Sequence, residues 1–484
     1  MNLTTDPWIP ALRADGQRSL FSLQDLFAQG HELRDLAVRP HERIALMRLL
    51  LCITQAALDG PKEEDDWEGC QSQIQPKARD YLEKWQGSFE LFGEGERFLQ
   101  LPNVEPASVS DEGNPATKLD LSLSTGNNTT LFDNLAGASR IIEPSRSALN
   151  LLVFQNFAPG GRIGIVKWNG EDTAGKGSSN HAPCIPSSML HALVLGPNLL
   201  EIIHRNLVTK EIITDYLGAG GWGKPVWELP VTNTEDVKAI KNATLTHLGR
   251  LVALSRAIRL NENGLTTVLG NGLDYPLYPS FREVTSTIIK RKDELKVMPG
   301  SISRSSWRQL ASITIKSRAN SDQTSGPLAL AHDFGTNDVP LWTGALVSDK
   351  AKIKDVIESV YALPSGMFSE VGRAAYERGV SHAEEIEGKL IQAIKTHSTH
   401  LKIGTPPYNK GRQFFWTRVE QHLDFLFDLA RDPNLVADLP NSEWGQAVRQ
   451  ATQSAYEHAC PHRTPRQIEA FALGLRKLKF THLK

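Results

Sequence analysis

An α+β fold is predicted, with a large irregular N-terminal α/β body followed by a C-terminal helical bundle of four-helix type. Two features of the chain predict it. Residues 1–348 mix short apolar runs with Gly, Pro and Asn turns, whereas from residue 349 to 484 long stretches of helical periodicity dominate. The 484 residues, 40% of them apolar and 22% charged, also supply enough material for about two to four domains with a sizeable core.

The elements follow in order. Asp15-Gly16, flanked by Ile9 and Leu20-Phe21, is a hairpin turn signal, and Ser22 is placed to cap a helix starting at Leu23. From Pro40 to Leu58 apolar residues lie on more than one stripe, which predicts a helix buried on most sides. A second helical run covers 77–92 and stops at Gly93 and Gly95. Residues 103–136 break into Ser, Thr, Asn, Asp and Gly, a long loop of the kind that carries function. A helix over 144–157 ends at Ala158-Pro159-Gly160-Gly161, and a strand follows over 163–168. Short strands are predicted at Leu265–Leu269 and Val284–Ile289. Beyond the boundary, helices are predicted over 350–363, 367–398, 412–432, 443–459 and 465–480.

Charge and cysteine content exclude several classes. With 53 Lys+Arg against 55 Asp+Glu the net charge is −2, so any polyanion must be held by local basic surface. Cys52, Cys70, Cys184 and Cys460 form no C-x-x-C pair, which argues against a disulfide framework and fits a reducing compartment. No apolar run is long enough for a membrane span, and the N-terminus lacks a secretory pattern, so a cytoplasmic protein is expected.

Enzymatic motifs are weak. Gly170-x4-Gly175-Lys176-Gly177 nearly matches a phosphate-binding loop, but Gly177 stands where a magnesium-binding hydroxyl is required. A nucleotide hydrolase using Gly170, Gly175 and Lys176 is therefore the alternative from another class. His181 and Cys184 lack further ligands at useful spacing, so no metal is expected. Ser187-Ser188 and Ser305-Ser306 sit in no nucleophile elbow.

Features suited to nucleic acid remain. Gly160 and Gly161 beside Arg162 would let backbone groups approach a base edge or phosphate, although a helix cap also uses glycine. Lys290-Arg291-Lys292 reads as a phosphate contact or a solvated hairpin tip. The last 22 residues carry Arg463, Arg466, Arg476, Lys477, Lys479 and Lys484 against Glu469, the most basic stretch of the chain.

One combination goes further. Asn2-Leu3 with Asp6-Pro7-Trp8-Ile9-Pro10, Ser22-Leu23, the helix around Leu46–Cys52, Trp85…Phe89-x-Leu91-Phe92…Phe98-Leu99-Gln100 and Ala158-Pro159-Gly160-Gly161 together resemble the large subunit of the type I-E CRISPR Cascade complex, the CasA family. The resemblance runs along the whole chain, is most specific in the opening segment and weakest in the middle third. It implies a subunit with no catalytic site and no cofactor, which works with other Cascade subunits and crRNA. Such a subunit inspects double-stranded DNA for a protospacer-adjacent motif, helps to start strand separation, and offers a docking surface to a helicase-nuclease. A scaffold that never touches DNA is the other alternative.

By residue, the resemblance carries the motif-sensing loop onto Gly160 and Gly161, with Arg162 as a neighbouring cation. The anchoring loop at the crRNA 5′ end falls on Phe132 and Asn134. The wedge falls on Thr336, Asn337 and Asp338; its tip amide is Asn337, where the family usually carries glutamine. The family's lysine-bearing hairpin corresponds by position to Gly264–Leu273, which contains no lysine. Phosphate contacts are assigned to Lys290, Arg291, Lys292, Arg476, Lys477 and Lys479. Minor-groove reading is degenerate, so a few backbone contacts and one amide suffice for a short motif while guide pairing supplies most of the specificity.

Overall fold

The computed structural model describes residues 1–93, 95–108, 113–123, 133, 140–158, 164–173, 175, 183–186, 188–276, 284–291, 294–316, 324–335, 337–349 and 352–478. They form two compact units: a body of Met1–Asp333 with Pro340–Tyr361, and a helical unit of Phe334–Val339 with Ala362–Lys484.

The body opens with β1 (Ile9–Arg13) paired antiparallel to β2 (Arg18–Phe21) and to β3 (Leu33–Leu36). Gly16 takes φ 89 in the tight turn, and the Ser22 hydroxyl accepts from Asp25 N–H to start the next helix, both as the sequence predicts.

Helix α1 (Pro40–Leu58) is the body's axis, buried continuously from His41 to Gln55. Two of its buried polar side chains bond distant backbone. Arg48 donates to Leu251 O at 3.0 Å and Arg250 O at 2.6 Å, and Gln55 donates to Val208 O at 2.7 Å. Helix α2 (Gln71–Lys84) begins six residues before the predicted run and stops at Lys84, with a short 3-10 turn over Gln86–Phe89. Helix α3 (Pro144–Phe157) has the predicted limits and is buried from Ser147 onward.

Small antiparallel sheets clothe these helices. One joins β4 (Val104–Pro106), β5 (Val166–Trp168) and the two residues Glu171–Asp172. A second joins Asn114–Pro115, β6 (Ala257–Leu260) and β7 (Thr266–Gly270). A hairpin pairs β8 (Ile288–Arg291) with β9 (Glu294–Val297).

Two long strands end the N-terminal region, β10 (Val339–Asp349) and β11 (Lys352–Leu363). The helix expected over 350–363 is thus a strand. Ile353, Val356, Ile357, Val360 and Tyr361 satisfy helical spacing, yet Val360 is 60% exposed while Tyr361 and Leu363 are buried, a two-residue period. Four of those five residues are β-branched, which favours the pleated conformation.

The helical unit contains α4 (Glu370–His400), α5 (Tyr408–Glu420), α6 (Leu423–Arg431), α7 (Glu443–Ala459) and α8 (Pro465–Leu475). The run expected over 412–432 is divided at Gln421-His422, and the last helix is shorter than expected. Tyr376, Phe415, Leu426, Trp444 and Tyr456 fill its core. Trp444 Nε1 donates to Gly379 O at 2.9 Å. Ser442 caps α7, and Thr464 with Gln467 forms a capping box on α8.

Candidate nucleic-acid interface

Gly160, Gly161 and Arg162 lie outside the described residues, but both flanks are described. Helix α3 is terminated by Ala158, whose left-handed backbone (φ 31, ψ 62) donates its N–H to Phe154 O. The capping position is therefore Ala158, so the helix needs neither glycine to end it. On the far side Gly164 is exposed, Ile165 is 49% exposed, and β5 begins at Val166.

Phe132 and Asn134 also lie outside the described residues. The described residues stop at Leu123 and, apart from Asp133, resume at Arg140; close to that point Ile142 N–H bonds Gly264 O at 2.9 Å.

These flanks meet one element. Gly264 is in the β6–β7 turn, and a Cβ there would sit 2.6 Å from Ile142 O. At the far end of β7, a Cβ on Gly270 would strike Val166 at 2.5 Å, and Asn271 N–H bonds Gly164 O at 3.3 Å. One end of a five-residue strand, roughly 17 Å long, thus lies against Ile142 and the other against Gly164 and Val166. This strand lies in Gly264–Leu273, the segment the resemblance aligns with the family hairpin.

In the helical unit Asn337 is exposed and makes no hydrogen bond to another described residue; Thr336 lies outside them. Gly335 takes φ 72 with open space around its Cβ position. Asp338 does not stand as a bare carboxylate. Arg431 Nη2 reaches its Oδ2 at 2.8 Å while Nη1 bonds Asp428 Oδ1 at 2.9 Å. Burial disfavours the Arg431 charge, but the hydrogen bonds and charges of these two carboxylates together outweigh it and raise its pKa. Ninety-three positions separate Arg431 from Asp338, and no local pattern in the sequence signals the pair.

Of the proposed phosphate contacts, Lys290 and Arg291 are exposed at the end of β8, with Arg291 opposite Glu294 across the hairpin; Lys292 lies outside the described residues. Arg476 and Lys477 are exposed in a single 3-10 turn after α8, and Lys479 lies outside the described residues.

The enzymatic alternative meets a contrary geometry. Asn169 (φ 52) and Gly170 (φ 84) form a two-residue turn between Trp168 and Glu171, the conformation Asn-Gly favours in hairpins. The strand therefore turns back at Gly170, where a phosphate-binding loop would proceed toward a helix. Gly175 is exposed, and Lys176, Gly177 and His181 lie outside the described residues. Burial raises the pKa of the Cys184 thiol, and among the described residues no group of three or more His, Cys, Asp or Glu could hold a metal. Ser188 and Ser306 are engaged structurally, Ser188 with Ser348 O and Ser306 with Thr343 and Tyr361 hydroxyls, each at 2.9 Å. Among the described residues no helix is long and apolar enough to cross a membrane.

Comparison with known proteins bears on these surfaces. The family model described as CRISPR-associated protein Cse1 matches residues 2–455. The CRISPR-associated protein CasA/Cse1 of Thermus thermophilus is 30% identical over 434 residues, covering 85% of this chain and 80% of its own. Among solved structures, Thermus thermophilus CasA (Cse1) superposes with TM-score 0.75 at 23% identity over 99% of each chain. Cse1 of Acidimicrobium ferrooxidans gives 0.73 at 19% identity over 99% of this chain and 97% of its own. A chain of a CRISPR RNA-guided surveillance complex gives 0.74 at 17% identity over 99% of each. With its sequence matched over nearly its full length, the chain belongs to the CRISPR-associated Cse1 (CasA) family.

Proposed function

We propose that this chain is the non-catalytic large subunit of a crRNA-guided type I-E Cascade complex. In that complex it senses the protospacer-adjacent motif in double-stranded DNA and helps to start strand separation and R-loop formation. Gly160 and Gly161, with Arg162, lie against the minor groove. Phe132 and Asn134 anchor the subunit at the crRNA 5′ end. Asn337, between Thr336 and Asp338, is the wedge. Lys290, Arg291, Lys292, Arg476, Lys477 and Lys479 neutralise phosphates, and a further surface receives a helicase-nuclease. The subunit works in the cytoplasm.

The observation that most supports this is the shared support of the two loop exits on β7: Ile142 against Gly264 at one end and Gly164 against Asn271 at the other. A loop sensing duplex and a loop holding the guide must be presented in fixed relation, and a short strand does that with little flexibility. The cap at Ala158 adds a second support, because it leaves Gly160 and Gly161 available for close approach to DNA.

Replacing Gly160 and Gly161 with leucine in the assembled complex tests the assignment. Target affinity is expected to fall by about tenfold or more, in line with about 1–3 kcal/mol per disrupted site contact, with loss of motif dependence. Unchanged affinity and unchanged motif dependence would falsify it. Photocrosslinking of duplex DNA to residues 158–164 is expected, and its absence would favour a scaffold that does not touch DNA.

A further inference from the structure

Two segments that share no β ladder, 116–123 and 140–147, are joined by charge. Arg146, in the first turn of α3, donates to Asp120 Oδ2 from Nη2 at 2.9 Å and from Nε at 3.2 Å, and to Glu42 Oε1 from Nη1 at 2.5 Å. Asp120 Oδ1 accepts from the Ser122 N–H at 3.0 Å and from its hydroxyl at 2.5 Å. Glu42 Oε2 accepts from Arg39 N–H at 2.9 Å. All four carboxylate oxygens are therefore engaged. The Arg39 guanidinium lies near both acids, 3.8 Å from Glu42 and 3.7 Å from Asp120.

Glu42 is 3% and Asp120 6% exposed, so Arg146 bridges two buried carboxylates. Charge-assisted forked bonds in such a place hold geometry tightly, and removing one partner leaves an uncompensated charge. Burial alone would raise the Asp120 carboxyl. The Arg146 charge and the Ser122 hydrogen bonds outweigh it and hold that carboxyl below its ordinary value. The cluster ties three elements: the N-terminus of α1, the stretch ending at Asp120, and the start of α3. Between its last two members run residues 121–145, which contain Phe132 and Asn134.

We infer that Arg39, Glu42, Asp120 and Arg146 are positioning residues that fix both stems of the 121–145 stretch for binding the 5′ end of a guide RNA. This rests on the assignment of Phe132 and Asn134 made above. None of the four contacts RNA in this role; they lower the ordering cost that a loop with free stems would carry into the complex.

The test uses the full chain reconstituted into the RNA-bearing complex. Asp120→Asn keeps the side-chain shape and removes its charge. Subunit dissociation from the complex is expected to accelerate about tenfold, and amide exchange to rise at 113–123 and 140–150 in the free chain. The salt dependence of retention is expected to stay at the wild-type slope, because no phosphate contact has been removed. Glu42→Gln retains an acceptor for the Arg39 N–H and carries the same expectation, should Asp120→Asn fail to fold.

Phe132→Ala separates the two claims. If Phe132→Ala leaves retention unchanged, the anchoring assignment fails and the inference with it. If Phe132→Ala weakens retention while both charge variants keep wild-type retention and exchange, the positioning role alone is overturned. A salt slope in the charge variants that departs from wild type also overturns it, since the cluster's charges would then act on phosphates directly and not through the stems.

Discussion

Asn337 is exposed and unbonded among the described residues, so its side chain contributes little to folding, and replacing it changes stability by no more than about 0.5 kcal/mol. Its neighbour Asp338 shares Arg431 with Asp428, which offsets part of the negative charge beside Asn337. Two outcomes follow at this scale. Asn337→Ala should slow base unstacking after target mixing, read by stopped-flow fluorescence, while the initial duplex affinity stays at wild type; an unstacking trace identical to wild type rejects the wedge assignment. Arg431→Ala should cost under about 1 kcal/mol of folding stability, as surface pairs do, yet slow the same unstacking in low salt and recover toward wild type as salt rises. Local chemistry at this scale is readable from sequence: the Ser22 cap and the Asp15-Gly16 turn depend only on neighbours. The Arg431–Asp338 pair and the Glu42–Asp120–Arg146 cluster are not, because they join residues far apart in the chain.

Among the elements, helices with several buried faces or clear caps are legible. Pro40–Leu58, Pro144–Phe157 and Glu443–Ala459 have the limits the periodicity predicts. The segment Lys352–Leu363 is not, since its apolar residues fit both helical and strand spacing and only pairing within a sheet decides between them. At Asn169-Gly170 two signals overlap, because the glycine that closes the hairpin turn is also the first of the glycine-lysine motif. Helix packing in the C-terminal unit rests on a feature that periodicity does not reveal, the close approach at Gly474. A Cβ there would lie 1.8 Å from Tyr456 Oη and 2.9 Å from Ala393 O. Gly474→Ala should therefore displace α8 from α4 and α7 and destabilise the unit by about 1–3 kcal/mol despite alanine's better helix propensity. The measurement is thermal unfolding of the full chain; a melting temperature equal to or above wild type would mean that the backbone there yields freely.

At the scale of the whole molecule, three imidazoles of the body are held far below their ordinary pKa. Burial, with Arg48 adding to it, lowers the pKa of His191 and His247 to about 3; burial lowers that of His41 to about 4, with Glu42 and Arg39 exerting opposing effects on it. Both His191 and His247 have a neutral partner, Thr285 Oγ1 and Gln55 Oε1, each at 2.8 Å. A base whose folded pKa lies below its unfolded value of 6.5 adds stability that is complete above that value. The contribution shrinks as pH falls, because the unfolded chain takes up protons that the folded one refuses. Each group then removes up to about 1.4 kcal/mol per pH unit until its folded pKa is reached. The lowered Asp120 carboxyl acts in the same direction at lower pH, where protonation cancels its attraction to Arg146. The urea midpoint should consequently be flat from about pH 8 to 7 and drop steeply between about pH 6.5 and 4, with the steep part made shallower by His247→Gln. A midpoint constant down to about pH 5 would mean that these imidazoles are reached by water in the folded chain, and that the buried axis around α1 opens far more readily than its packing implies.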